Sequence, residues 1–66
     1  MTPRTMGLKI KRLRERQAMS QATLARRAKI TREYVNRLEA GRYDPTVGVL
    51  TRIAKALGSP VTELLE

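Results

Sequence analysis

Residues 19–41 read MSQATLARRAKITREYVNRLEAG. Two capping hydroxyls, Ser20 and Thr31, each stand before a short apolar pattern with helical spacing. Leu24, Ala25 and Ala28 share the inner face of the first segment, and Val35 and Leu38 that of the second. Gly41 supplies a left-handed end. Only Lys29-Ile30-Thr31 lies between the two segments. So short a joint cannot bring two helices antiparallel. They must cross steeply, which predicts a helix-turn-helix over residues 20–40. Ala25 stands where the helices approach, and Ile30 plugs the turn.

Working outward, helical punctuation continues on both sides. A first helix is expected from about Met6 to Ala18, with Met6, Ile10, Leu13 and Gln17 on one stripe and Leu8 partly exposed. Residues 1–5 read as a loose basic lead-in. After Gly41, Arg42-Tyr43-Asp44-Pro45 reads as a loop. A fourth helix starts at the Thr46 cap, runs to Leu57 and buries Val47, Leu50, Ile53, Ala54 and Leu57. Gly58 ends it, and Pro60 opens a short fifth helix carrying Val61, Leu64 and Leu65. No run alternates with period two for long enough to make a strand. The expectation is an all-α, compact five-helix bundle forming one domain over residues 1–66.

Composition narrows the function. Fourteen Lys/Arg against six Asp/Glu leave a formal charge of +8, which favours a polyanionic partner. There is no Cys and no His, so disulfides, thiolate chemistry and the commonest metal ligand and general base are missing. The acids Glu15, Glu33, Glu39, Asp44, Glu63 and Glu66 are scattered, which disfavours a metal-dependent nuclease. An amphipathic membrane or peptide-groove binder would need a free apolar face. Here every apolar stripe is needed to build a core in 66 residues. No enzyme activity, metal, cofactor, membrane contact or small-molecule ligand is expected. The expected location is the cytoplasm, at the nucleoid.

On a wheel of about 100° per residue, Val35 and Leu38 face one side of the third helix. Arg32, Glu33, Asn36 and Arg37 face the other. These side chains suit base edges: Arg for guanine, Asn for adenine, Glu for cytosine. Tyr34 stands at the flank, where its hydroxyl could meet a phosphate. Arg14 shares the apolar stripe of the first helix with Ile10, and Glu39 shares the inner side of the third with Val35. Each charge alone would be costly in a core, so the two are expected to pair.

The chain resembles the lambda-repressor-like helix-turn-helix family (the Cro and phage-repressor, or XRE, type). The resemblance rests on Ser20, Gln21, Leu24 and Ala25, on the run from Ile30 to Gly41, and on the stretch from Pro45 to Gly58. It implies five helices, with the third entering the major groove of double-stranded DNA. It implies base reading by Arg32, Glu33 and Arg37, and a backbone grip by Arg42 and Tyr43. Gln21 would bond a phosphate and brace the first residue of the third helix. The resemblance implies the Arg14–Glu39 contact as well. One departure is Lys29, where the family usually has glycine; a left-handed lysine costs about 1 kcal/mol and could repay it by reaching a phosphate.

One recognition helix reads too few base pairs to stand out in a genome. The expectation is therefore a transcriptional regulator that binds a pseudo-palindromic operator as a homodimer, with Val61, Leu64 and Leu65 at the seam and the loop between the third and fourth helices as a further candidate there. A restriction-modification controller, a phage or plasmid repressor and an antitoxin-like regulator fit the sequence equally.

Overall fold

The computed structural model describes residues 2–65, and five helices follow one another in it. They are α1 (Pro3–Arg16), α2 (Gln21–Ala28), α3 (Arg32–Glu39), α4 (Val47–Leu57) and α5 (Val61–Leu65). No described residue is in a strand. No helix among the described residues is long and apolar enough to cross a membrane.

The first four helices are bounded by the same two devices. Each starts at a hydroxyl that accepts a backbone N–H three residues on: Thr2 from Thr5, Ser20 from Thr23, Thr31 from Tyr34 and Thr46 from Val49, at 3.0–3.2 Å. Each ends at a left-handed residue, namely Ala18, Lys29, Gly41 and Gly58. At each, the next residue's N–H reaches back five positions, as Ile30 does to the Ala25 carbonyl at 2.9 Å. That is the Schellman closure, and it satisfies carbonyls the helix leaves open.

The core is aliphatic. Ile10, Leu24, Ala28, Val35, Leu38, Ile53 and Leu64 are fully buried, and Met6, Met19, Ala25, Leu50, Ala54 and Leu57 nearly so. Ile30 packs against this cluster from the turn. Leu8 is exposed at the surface.

Several expectations need correction. Residues 3–5 are not a loose lead-in: Thr2 caps α1, and Pro3, with no N–H to leave unpaired, opens it. Met1 lies outside the described residues. Gln17 is not on the buried stripe, because α1 closes at Arg16. Gln17 is exposed instead, and its Nε2 donates to the Leu57 carbonyl at 2.6 Å. Val47 is 79% exposed. It fits the apolar spacing of α4 but sits in its first turn, beyond the reach of the core.

Candidate nucleic-acid interface

The site begins with the helix that presents it. Val35 and Leu38 anchor α3 inward, and its opposite face carries Arg32, Glu33, Asn36 and Arg37, all exposed. Arg32, Glu33 and Asn36 line one shallow recess. Arg37 lies one turn beyond Glu33 and is held from two sides. Its Nη1 donates to the Tyr43 hydroxyl at 3.0 Å, and its Nη2 to Glu33 Oε2 at 3.4 Å. The bond to Tyr43 first, then the charge of Glu33, holds the Arg37 guanidinium above its ordinary range. It is a permanent cation at any physiological pH.

Tyr43 comes from the loop after α3 and is half-buried. Its ring meets that of Tyr34 with centroids 5.0 Å apart and planes tilted by 47°, within the range of attractive aromatic pairs. From the sequence, both tyrosines are expected at the DNA backbone. The structure brings them together and joins Tyr43 to Arg37. Nothing local in the sequence signals this contact, because it depends on how the loop folds back along α3.

Behind this face lies the support. Arg14 Nε donates to Glu39 Oε2 at 2.7 Å and Nη2 to Oε1 at 3.0 Å, while Nη1 donates to the Met19 carbonyl at 2.7 Å. Both side chains are nearly inaccessible, at 10% and 3%. The bond to Glu39 outweighs the effect of burial and raises the pKa of Arg14. Gln21 Nε2 donates to Glu39 Oε1 at 3.0 Å. Gln21 thus braces the last residue of α3, whereas the first was expected; α2 begins beside the far end of α3. Among the described residues, no buried side-chain nitrogen or oxygen lacks a partner.

Gly7 sets how closely α1 meets this end of α3. A Cβ there would lie 2.9 Å from the Glu39 carbonyl oxygen and closer still to that of Leu38. Gly41, with φ +78°, packs its backbone against Arg4.

The remaining sequence candidates spread over the surface. Lys29 is left-handed (φ +59°) and exposed, and Arg42 is exposed in its loop. Lys29 shares a basic recess with Arg27, Arg52 and Lys55. Arg52 is steadied there by a 3.0 Å bond from Nε to the Ala28 carbonyl. Sequence reasoning did not single out Arg52 or Lys55; their spacing on one face of α4 was the available signal. At the C-terminal end, Leu64 belongs to the core, Val61 is half-buried and Leu65 is 48% exposed. Any seam there must be made by the last two.

Comparison with known proteins agrees with this geometry. A helix-turn-helix family model, HTH_3, matches residues 10–64. The chain is 34% identical over 61 residues to the immunity repressor protein of Bacillus phage phi105, covering 92% of this chain but 42% of that protein. It is 35% identical over 60 residues to an uncharacterised HTH-type transcriptional regulator, y4dJ, of Sinorhizobium fredii, covering 91% and 78% respectively. Among solved structures, the restriction-modification controller protein C.AhdI of Aeromonas hydrophila superposes with a TM-score of 0.92 at 29% identity, covering 94% of both chains. The DNA-binding domain of the P22 C2 repressor gives 0.91 at 25%, covering 98% of this chain and 86% of that one.

Proposed function

The chain belongs to the helix-turn-helix family of DNA-binding transcriptional regulators, and from that membership we propose that it binds a pseudo-palindromic operator as a homodimer, with α3 in the major groove. The observation that carries this reading is the division of α3. Val35 and Leu38 are fully buried, while Arg32, Glu33, Asn36 and Arg37 stand exposed as one outward group. These four read bases. Tyr34 at the flank of α3, with Lys29, Arg42 and the free edge of Gln21 on the elements beside it, holds the phosphates. The family is one of regulators and not a class of enzymes.

Val61 and Leu65, apolar and at least partly exposed on α5, form the seam between copies, resting on Leu64 beneath. Two copies so joined must set their recognition helices about 34 Å apart, one turn of the duplex. Selection from a random DNA pool tests both halves of the proposal. Two inverted half-sites centred one turn apart support the dimer. Enrichment of a lone half-site, with a one-to-one complex in sedimentation, rules it out. No enrichment at all rules out sequence-specific binding.

A further inference from the structure

We propose that Tyr43 is the positioning residue that aims Arg37 at its base, so the loop after α3 takes part in sequence choice and not only in backbone grip. The inference rests on the DNA-reading role proposed for α3.

A guanidinium on a long flexible stem must be ordered before it can make paired bonds to one base, and that ordering weakens binding. In this chain the ordering is already present. The Tyr43 hydroxyl takes one Nη1 hydrogen at 3.0 Å, and Glu33 takes one Nη2 hydrogen at a looser 3.4 Å. Of the five donors on a guanidinium, three remain for DNA. Tyr43 is itself fixed. Its ring packs on Tyr34, one turn before Arg37 on the same helix, and against the apolar core. Glu33, by contrast, is 80% exposed at the side chain and free to swing to a base of its own. The firm constraint on Arg37 is therefore the phenol.

A phosphate contact is the competing role for Tyr43, because a phenol that accepts from Arg37 still has its own proton to donate. The two roles differ in what they do to base preference.

The test uses duplexes that the wild-type chain selects from a random pool, together with their single base-pair variants. Affinities are measured at several salt concentrations for wild type, Tyr43→Phe, Arg37→Ala and the double variant. Phe keeps the ring packed on Tyr34 and removes only the hydroxyl, and thermal melting checks that the fold is unchanged. The expected loss for Tyr43→Phe on the best duplex is about threefold to tenfold, the worth of one hydrogen bond. Base preference should flatten at the same base pair that Arg37→Ala flattens, with the salt slope unchanged. In the Arg37→Ala background the hydroxyl should make no further difference. A uniform loss on every duplex, with base preference kept, overturns the proposal in favour of a phosphate contact, which positions but carries no sequence information. So does full additivity with Arg37→Ala. If the pool yields no preferred duplex, the DNA-reading role falls and this inference with it. A preferred duplex with Tyr43 uncoupled from Arg37 overturns this inference alone.

Discussion

Arg14 and Glu39, 25 positions apart in the chain, meet inside the core through two parallel bonds of 2.7 and 3.0 Å. The pair joins α1 to the end of α3. Arg14 also fixes the Met19 carbonyl, and Gln21 reaches the same carboxylate from α2. A basic helix therefore gets its orientation from an acid that never faces solvent. Glu39→Ala leaves a buried guanidinium with only Met19 for a partner. Removing one member of a buried pair typically costs about 3–5 kcal/mol. In a domain this small that lowers the melting temperature by more than about 12 °C, at roughly 4–8 °C per kcal/mol. Melting by circular dichroism checks it; an unchanged transition would show the pair to be dispensable.

Gly7 and Gly48 make a matched test, since both are helical glycines with opposite surroundings. A Cβ on Gly7 meets the Leu38 and Glu39 carbonyls, whereas one on Gly48 finds only Thr46 Oγ1 at 3.9 Å. Helix propensity alone favours alanine at both, by about 0.5–1 kcal/mol. Gly48→Ala should gain that amount. Gly7→Ala should instead lose about 1–3 kcal/mol, because backbone must move. Two gains in urea unfolding would mean that α1 can shift away from α3 without penalty.

These two glycines also mark where the sequence was readable. Caps are local chemistry, so Ser20, Thr31, Thr46, Gly41 and Gly58 announce their helix ends by themselves. The inward faces of α2 and α3 follow from spacing. Thr2-Pro3 is equally local, but Arg4 and Thr5 follow it and the apolar stripe of the helix opens only at Met6. Spacing also misplaced Val47, since periodicity gives the face of a helix and not how far the core extends along it. The close approach at Gly7, the reach of Gln21 to Glu39 and the bond from Arg37 to Tyr43 each join parts distant in the chain. They depend on tertiary arrangement, which no local pattern encodes.

Lys29 combines a strained backbone with a proposed role. Its φ of +59° lies where glycine is at ease, and a side chain there costs about 1 kcal/mol. Ala18 has the same conformation, with φ +53°. Both Lys29→Gly and Ala18→Gly should raise stability, by somewhat less than about 1 kcal/mol because glycine also loosens the unfolded chain. Only Lys29→Gly should weaken DNA binding, and its salt slope should fall by about one unit, as for a lost phosphate contact. If both variants bind as wild type does, the lysine offsets its strain in some other way.

Arg37 and Arg42 offer a test of whether reading and anchoring fall to different residues. Arg37 is on the outward face of α3 with its guanidinium already directed by Tyr43 and Glu33. Two of its donors can meet guanine O6 and N7 together, a geometry that lysine lacks. Arg42 follows the left-handed Gly41 and stands exposed in the loop, with no side-chain partner among the described residues. It is free to follow a phosphate. Arg37→Ala should lower affinity about fivefold to a hundredfold for the preferred base pair and abolish the preference at that position. Arg37→Lys should restore charge and salt dependence but not the preference. Arg42→Ala should weaken all sequences alike and reduce the salt slope by about one unit. Measured on one set of single base-pair variants at several salt concentrations, the two arginines must give different patterns. A uniform loss from Arg37→Ala together with altered base preference in Arg42→Ala would reverse the roles, placing the reading group on the loop.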